Sequence, residues 1–393
     1  MAGMHKPGLV VVGSGPAGLS AAETFRRHHP RIPVYILTAD AALPYARPPL
    51  SKEFLRGKQS EVGLHTQDWF DDHNVEVITS ATVNRIDVDH RTVLTSGGQR
   101  FGYWHLVLAC GAAPSPLPVP GARSVLYLRS LADAVALRAT AEHADSAVVI
   151  GAGFIGCEAA ASLAMRGVAV TLVAPERLPQ EARLGVEAGE RIVDLLSDAG
   201  VRFVGSVAVE AVEENAVLLD NGVTIHCDVV LAATGVTPQS ALAAGAGITT
   251  HDGRIIVDEH MHTPTQNVLA AGDVALAWNR TAGRRIAVEH WQDAVDQGAI
   301  AGSSAAGASA VWDGVPGFWS TIGDATLKYH AWGDGYDHSR LVQHDNGFTV
   351  WYEAGGAAVG VLTLNADDDY DRAENIIRCR DPVPVSPPLG AGG

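Results

Sequence analysis

The sequence predicts a mixed α/β fold with two similar nucleotide-binding units and a smaller α+β domain near its C-terminal end. Two observations predict the units. An apolar strand leads through a Gly-x-Gly-x-x-Gly motif at residues 13–18 into an alanine-rich helix, and the same order returns at residues 151–156. The third observation is a change of pattern after Val315, where two strands meet at Gly355-Gly356 and a helix with acids in its first turn follows. A chain of 393 residues has room for about three such domains.

Each glycine motif predicts a Rossmann-like domain that binds the pyrophosphate of a dinucleotide. Glycines permit the tight turn and let the pyrophosphate approach the backbone, while the helix N-terminus adds free N–H groups and a partial positive charge. Asp40 ends the strand "VYILTAD" about twenty residues after the first motif, where an acid binds a ribose. Two units imply two nucleotides, usually a flavin that stays bound and a nicotinamide that visits. The glycines are Gly13, Gly15, Gly18, Gly151, Gly153 and Gly156.

The composition argues against several classes of protein. The chain has 28 basic and 44 acidic residues and a net charge of −16, which disfavours a nucleic-acid or anionic-membrane partner. No apolar run is long enough to cross a membrane, and the first residues lead directly into a strand, so we expect a cytoplasmic protein.

The cysteines and histidines do not predict a metal site. The four cysteines are far apart and form no C-x-x-C pair, whereas an iron–sulfur cluster needs about four thiolates at characteristic spacings. His260 and His262 alternate in "DEHMHTP", which would place both on one face of a strand, but no further ligand follows at zinc-like spacing. We therefore expect no bound metal.

A third motif indicates which unit binds the flavin. The segment "TPTQNVLAAGDVALAW" contains Gly272-Asp273 after an apolar strand, and here the chain resembles the FAD-dependent pyridine-nucleotide oxidoreductases. The resemblance implies that Asp273 holds the ribityl chain of FAD. It also implies that the helix in "VEHWQDAVDQGAIAGSSAAG" directs its positive N-terminus at the flavin ring.

The same resemblance predicts an FAD domain split by an inserted NAD(P) domain, with proline-rich crossings at 112–121 and 234–239. The predicted domains are an FAD domain at 1–115 and 237–312, an NAD(P) domain at 116–236, a C-terminal interface domain at 313–382 and a mobile tail at 383–393.

The segment "LPYARPPLSK" resembles the ferredoxin and rubredoxin reductase group within this family. In thiol-using relatives a redox cysteine stands at the position of Ala41, so electron relay through a thiol is not expected. The resemblance implies that Arg47 contacts the FAD phosphates and that Lys52 lies beside the flavin ring, paired with Glu158. An Arg offers a forked set of donors for phosphate, and a Lys offers a compact charge.

The resemblance carries over further site residues. For FAD the predicted contacts are Gly13, Gly15, Gly18, Asp40, Arg47, Lys52, Val83, Ala109, Arg129, Asp273, His290 and Trp291. For NAD they are Gly151, Gly153, Phe154, Ile155, Gly156, Glu158, Glu176 and Gly235. The predicted catalytic residues are Lys52, Glu158, Glu289, which matches a residue near the nicotinamide carboxamide, and Trp319, near the flavin.

The choice of coenzyme depends on the end of the second strand of the NAD unit. Relatives that use NADH usually have an acid where this chain has Ala174. Glu176 would reach the ribose, whereas Arg177 would meet a 2′-phosphate, so the two residues favour opposite coenzymes. We expect NADH.

The resemblance implies an NADH-dependent flavoenzyme that passes single electrons to a [2Fe–2S] ferredoxin-type carrier serving an oxygenase. Ferredoxins are mostly acidic and residues 312–393 are predominantly acidic, so the candidate docking cations lie at 25–31 and at Arg280, Arg284 and Arg285. Two alternatives stay open: reduction of a small acceptor such as a quinone or oxygen, and a redox-sensing interaction protein like the apoptosis-inducing flavoprotein. A homodimer is one candidate assembly.

Overall fold

The structure, a computed structural model, describes residues 5–384. The predicted tail at 383–393 lies outside these residues from 385 onward. In the described chain the helices are α1 (Pro16–His28), α2 (Gln67–Asp72), α3 (Leu131–Ala141), α4 (Phe154–Ala164), α5 (Glu181–Asp198), α6 (Ala241–Gly245), α7 (Trp291–Ala305) and α8 (Asp367–Cys379), with short 3₁₀ turns at Pro48–Ser51 and Ala122–Ser124. Within 5–384, no helix is long and apolar enough to span a membrane.

The first fourteen strands are β1 (His5–Val12), β2 (Val34–Leu37), β3 (Val75–Ile78), β4 (Val83–Asp87), β5 (Thr92–Thr95), β6 (Arg100–Leu108), β7 (Ala112–Pro114), β8 (Ser146–Ile150), β9 (Ala169–Val173), β10 (Val201–Val204), β11 (Val209–Glu213), β12 (Ala216–Leu219), β13 (Thr224–His226) and β14 (Val229–Ala232). The others are β15 (Val236–Pro238), β16 (Thr250–His251), β17 (Arg254–Val257), β18 (Val268–Ala270), β19 (Ala275–Asn279), β20 (Arg284–Ile286), β21 (Gly317–Ile322), β22 (Ala325–Ala331), β23 (His338–Gln343), β24 (Phe348–Ala354) and β25 (Ala357–Leu364).

The chain divides into two compact units. The described residues of unit 1 are 5–116, 127–138 and 235–313, and those of unit 2 are 117–126, 139–234 and 314–384. Unit 1 is therefore discontinuous in sequence. The predicted boundaries of three separate domains stay a prediction.

Unit 1 is built on a seven-stranded sheet in the order β3-β2-β1-β6-β5-β4, with β18 also paired to β6. Strands β3, β2, β1, β6 and β18 run parallel, whereas β5 and β4 are antiparallel. The apolar run of β1 is buried from Gly8 to Val12, as expected for a parallel strand covered on both faces. The first predicted strand, glycine loop and helix are β1, its loop and α1, so the Rossmann-like fold is confirmed.

Two smaller sheets complete unit 1. Strands β16-β17-β19-β20 form one, in which β17 and β19 are parallel. The other is the antiparallel pair of β7 and β15, which lie within the two proline-rich segments at 112–121 and 234–239.

Helices α1 and α7 pack backbone to backbone in unit 1. A Cβ atom placed on Gly298 would lie 2.2 Å from the carbonyl oxygen of Ala17, and one on Gly302 would lie 2.3 Å from that of Ala21. The hydroxyl of Ser20 on α1 donates to the carbonyl of Val295 on α7 at 2.8 Å. Only glycine permits so short a distance between the helices at these two positions.

Unit 2 contains the second nucleotide-binding sheet and an antiparallel sheet. The parallel sheet has the order β10-β9-β8-β14, and β11-β12-β13 form a small antiparallel sheet beside it in sequence. The five-stranded antiparallel sheet has the order β21-β22-β25-β24-β23. Gly355 and Gly356 join β24 to β25 with φ values of 58° and 80°, the backbone that a two-residue hairpin turn requires. The hairpin and the acid-led helix α8 confirm the predicted pattern.

The α1–α7 contact leads to a prediction about stability. Gly298→Ala should lower the midpoint of thermal unfolding, because an added methyl group overlaps the Ala17 carbonyl and overpacking costs about 1–3 kcal/mol. Gly245→Ala in α6 is the matched control, since a Cβ there meets no atom within 4 Å. Equal midpoints for Gly298→Ala and the control would contradict the tight contact.

Candidate functional site

In the first glycine loop, Gly13 and Gly18 pack closely against backbone atoms, whereas the space beside Gly15 is open. A Cβ placed on Gly13, whose φ is 111°, would lie 2.1 Å from the carbonyl oxygen of Ala109, and one on Gly18 would lie 2.0 Å from that of Gly13. For a Cβ placed on Gly15, the nearest atom is Nη2 of Arg47, at 3.8 Å. Gly15 is the N-cap of α1 and its helix start has no side-chain cap, so the first N–H groups can bind an anion.

Arg47 places a buried positive charge on the open side of this loop. Burial lowers the pKa of its guanidinium, the nearby charge of Arg129 lowers it further, and Tyr45, Asp273 and Asp40 oppose the shift. Arg47 lies at the uncapped start of α1, and Arg129 is near enough for its charge to act on Arg47, so this group suits the negative charge of a pyrophosphate. The residues present therefore fit the phosphate portion of FAD.

Asp273 accepts hydrogen bonds through both its carboxylate and its backbone carbonyl. Nη2 of Arg129 donates to its carboxylate at 2.5 Å, and Nε of Arg129 donates to the carbonyl of Ala112 at 2.9 Å. The backbone carbonyl of Asp273 accepts from Nη1 of Arg254, and the amide of Gly272 donates to Oε1 of Gln297 at 2.9 Å. Sequence reasoning missed Arg254 and Gln297, because neither belongs to a motif of the glycine-loop pattern.

Tyr45 connects the opening of the "LPYARPPLSK" segment to two other elements. Its hydroxyl donates to Oδ2 of Asp40 at 2.7 Å and accepts from the amide of Leu131, the first residue of α3, at 2.9 Å. Burial raises the pKa of Tyr45 to about 12, and the bond to Asp40 adds to the shift. The strand β2 ends at Leu37, so Asp40 lies in a bend and not in the strand as predicted.

Lys52 is buried at the end of the proline-rich segment. Two prolines begin the 3₁₀ turn at Pro48–Ser51, where their fixed φ suits the first turn. The ammonium of Lys52 donates to the carbonyl of Pro48 at 2.8 Å and contacts the hydroxyl of Ser51 at 3.5 Å, and the residue is 6% exposed. The segment is therefore a folded, buried turn and not a surface loop with solvated cations.

Three other predicted FAD residues, Val83, His290 and Trp291, lie at two places in unit 1. Val83 is buried at the start of β4, the edge strand of the large sheet. His290 is the N-cap of α7, with Nδ1 3.0 Å from a carboxylate oxygen of Asp293, and Trp291 opens the helix. The start of α7 has no side-chain cap, which leaves its N–H groups available to a ligand. The FAD contacts of these three residues stay predictions.

The second glycine loop, in unit 2, repeats the construction of the first. A Cβ on Gly151 would lie 2.4 Å from the carbonyl oxygen of Ala233, and one on Gly156 would lie 2.0 Å from that of Gly151. Gly153 is the N-cap of α4 without a side-chain cap. Phe154 and Ile155 open that helix, and Ile155 is 48% exposed. Gly235, predicted to contact NAD, belongs to unit 1, where its φ is 89°.

Glu158 is a buried carboxylate on α4. Its Oε1 accepts from the hydroxyl of Ser320 at 2.8 Å and from the amide of Thr321 at 3.2 Å, both on β21. The predicted catalytic residue Trp319 precedes Ser320 and is 42% exposed. Lys52 belongs to unit 1, so the pairing of Lys52 with Glu158 stays a prediction, as does the place of Trp319 near the flavin.

The two residues that favour opposite coenzymes are placed differently. Glu176 is exposed after β9. Nη2 of Arg177 donates to Oε1 of Glu181 in the first turn of α5 at 2.6 Å. The charge of Arg177 is thus partly satisfied within the loop.

The thiols are poor candidates for redox chemistry. All four cysteines lie in the described residues, and none is in a disulfide. Burial raises the pKa of Cys110 to about 12 and also raises the pKa of Cys157, so both thiols stay protonated at neutral pH. Among residues 5–384, no group of three or more His, Cys, Asp or Glu side chains is arranged to hold a metal ion.

Two glycine loops at the ends of two parallel sheets, one of them faced by buried arginines, define a protein that binds two dinucleotides. The chain belongs to the pyridine nucleotide-disulphide oxidoreductase family, whose pattern matches residues 7–298. It is therefore an oxidoreductase that uses a pyridine nucleotide.

Several relatives extend the comparison over nearly the whole chain. Rhodocoxin reductase of Rhodococcus erythropolis is 33% identical over 98% of this chain and 92% of that protein. Rubredoxin-NAD(+) reductase of Pseudomonas putida is 32% identical over 88% of this chain and 91% of that protein. The fold matches the crystal structure of the covalent putidaredoxin reductase–putidaredoxin complex with a TM-score of 0.91 and 29% identity, over 95% of this chain and 94% of that one. The predicted resemblance is confirmed.

The phosphate site leads to a testable prediction about FAD. Arg47→Met should weaken FAD binding about tenfold or more, because a hydrogen bond to a charged group contributes about 1.5–3 kcal/mol. The ratio of flavin to protein absorbance after dialysis measures the loss, and circular dichroism checks the fold. Arg85→Met, at an exposed position of β4, is the control. Full FAD content in Arg47→Met would contradict the assignment.

Proposed function

We propose that the protein is an NADH-dependent reductase of a [2Fe–2S] ferredoxin-type carrier that serves an oxygenase. Its cofactors are FAD and NADH. FAD, when bound, would supply the chemistry that joins a two-electron donor, NADH, to a one-electron carrier.

The observation that carries the proposal is the partly buried group of Arg47, Arg129 and Asp273 near the first glycine loop, in a chain where burial raises the pKa of Cys110 and Cys157. Such a site holds a flavin without a thiol relay. The named relatives reduce rhodocoxin and rubredoxin, and a solved relative is covalently joined to putidaredoxin. The same activity in this chain is consistent with Ala41, which stands where thiol-using relatives have a redox cysteine.

Each residue has a role that follows from its surroundings. Arg47 and Arg129 bind the FAD pyrophosphate, and Asp273, fixed by two arginines, orients the ribityl chain. Lys52 is oriented by the hydrogen bond from its ammonium to the Pro48 carbonyl. Glu158 is oriented on α4 by its hydrogen bonds from Ser320 and Thr321 of β21.

The carrier needs a local cationic surface, because the whole chain has a net charge of −16. The hairpin β19–β20 supplies one in unit 1. Trp278 lies opposite Arg285 in the register, with the guanidinium carbon 5.6 Å from the indole centroid, and Arg280 is exposed nearby in sequence. The hairpin follows Asp273 and precedes Glu289 along the chain, so it is connected directly to the flavin site.

The other candidate cluster, at 25–31, is less suitable than its sequence suggests. Arg26 is 7% exposed, and its guanidinium donates to the carbonyls of His29 at 2.8 Å and Asn74 at 2.6 Å. Arg26 therefore stabilises the fold and does not contribute a solvent-exposed charge for docking. We assign docking to the β19–β20 hairpin. A cytoplasmic location and a homodimer also stay predictions.

The proposed function predicts fast reduction of a [2Fe–2S] ferredoxin by NADH, followed by coupled cytochrome c reduction. Reversing two charges, Arg284→Glu and Arg285→Glu, should lower the ratio of carrier to ferricyanide kcat/KM about tenfold, equivalent to about 1.4 kcal/mol. Arg100→Glu, at an exposed position of β6, is the matched charge reversal.

Alkylation of accessible cysteines should leave ferricyanide reduction unchanged.

If a quinone or oxygen is reduced much faster than every ferredoxin tested, the carrier assignment is wrong. Slow reoxidation by all acceptors, with an NADH-dependent change in oligomer size, would instead indicate a redox-sensing protein.

The geometry near Glu176 predicts a preference for NADH over NADPH. A carboxylate beside the ribose repels a 2′-phosphate, by up to about 4 kcal/mol for unit charges about 4 Å apart at an effective dielectric near 20. Glu181→Gln should raise kcat/KM for NADPH several-fold, because it releases Arg177 from its ion pair. Glu190→Gln, exposed on the same helix, is the control. Equal kcat/KM values for the two coenzymes in the unmodified enzyme would contradict the prediction.

A further inference from the structure

Arg254 joins two parts of the site that are far apart in sequence. It is the first residue of β17, and its guanidinium donates through Nη1 to the backbone carbonyl of Asp273 and through Nη2 to Oε1 of Glu289 at 2.5 Å. The side chain of Arg254 is 15% exposed and that of Glu289 is 39% exposed. The pair is therefore shielded from solvent more than an ordinary surface ion pair.

The parallel pairing of β17 with β19 explains why Arg254 reaches this position. Ile255 pairs with Ala275, and its amide donates to the carbonyl of Val274 at 2.8 Å. Arg254 is thereby aligned with the residues that lead into β19, beside the Asp273 carbonyl. Its position is set by the sheet and not by side-chain freedom.

The planar guanidinium is suited to this double contact. Two of its nitrogens face acceptors on different segments, and an arginine fork can satisfy both at once in a fixed geometry. Arg129 holds the carboxylate of the same Asp273 at 2.5 Å. A continuous chain of charge-assisted hydrogen bonds thus runs from Arg129 through Asp273 and Arg254 to Glu289.

We propose that Arg254 is a positioning residue that fixes the carboxylate of Glu289 for the nicotinamide. The inference rests on the proposed function and on the role that the family resemblance implies for Glu289, contact with the nicotinamide carboxamide. Glu289 is half exposed, and without Arg254 its side chain would turn into solvent among several rotamers. NADH would then have to order the carboxylate when it binds, which weakens binding.

The alternative is that Arg254 only stabilises the loop before β19. A structural role of this kind would lower FAD retention and thermal stability, and it would not depend on the residue at position 289. A positioning role instead affects NADH binding and disappears when Glu289 is already changed. The two roles therefore differ in a double-mutant cycle.

The cycle consists of Arg254→Met, Glu289→Gln and the double variant, studied as holoenzymes. Stopped-flow reduction of the flavin over a range of NADH concentrations gives the apparent Kd for NADH and the limiting rate separately. We expect each single variant to raise the apparent Kd about five- to tenfold, and the double variant to resemble Glu289→Gln alone. Arg254→Lys should recover only part of the affinity, because one ammonium cannot reproduce the two-sided fork.

Two further readouts do not depend on turnover: the dissociation constant of FAD and the thermal midpoint of the apoprotein. Both should change less than twofold, or by less than a few degrees, in Arg254→Met. Arg85→Met serves as the control for loss of a cation from unit 1. A large loss of FAD affinity with no change in NADH affinity would overturn the proposal in favour of a structural role.

The remaining outcomes separate this inference from the proposed function. If Glu289→Gln weakens NADH binding and Arg254→Met does not, or if the two effects add, Arg254 is not a positioning residue and the assignment of Glu289 survives. If Glu289→Gln leaves NADH binding unchanged, the role of Glu289 and this inference both fail. Reduction of the ferredoxin, measured independently, decides the proposed function in either case.

Discussion

The proximity of two partly buried guanidinium groups, one of them at the first glycine loop, is the constraint on which unit 1 depends. Arg47 and Arg129 are close enough for each to feel the other's charge, and Arg47 is largely removed from water. Like charges in such a place must be compensated, because uncompensated buried charge costs several kcal/mol. Asp273 and Asp40 supply part of the compensation from the protein. A pyrophosphate bound there, as proposed above, would supply further compensation.

The two glycine loops show how a similar backbone serves two ligands. In both, the first glycine has a positive φ and packs against a carbonyl from the strand end next to it, Ala109 in one case and Ala233 in the other. In both, the third glycine packs against the first. The surroundings differ: unit 1 places buried arginines at its loop, whereas the loop of unit 2 is contacted by the amide of Gln180. A buried cationic site suits a cofactor that stays bound, and a neutral one suits a coenzyme that must leave.

Sequence patterns predicted the parts of the fold that depend on local chemistry. The glycine motifs and the hairpin at Gly355-Gly356 follow from φ preferences and apolar runs, which are local properties. The alternation of His260 and His262 suggested a strand that would carry both side chains on one face. In the structure Met261 between them has a φ of 66°, so the segment turns and is not a regular strand.

Site residues that belong to a sequence motif were predicted. Site residues that are brought in only by the pairing or packing of strands were not. Arg47 and Asp273 stand in recognisable segments. Arg254 reaches Asp273 only because β17 pairs with β19, and Ser320 reaches Glu158 only because β21 packs on α4. No spacing along the chain encodes such contacts, since they arise from tertiary pairing.

The glycine contacts between α1 and α7 have a consequence for how the flavin site opens. Helix α1 begins at the phosphate loop, and α7 begins at His290 and Trp291, so the two predicted ends of the cofactor are carried by helices whose backbones touch. Neither helix can separate without exposing the other's carbonyls to a void. Their amides should therefore exchange with solvent deuterium in one cooperative event.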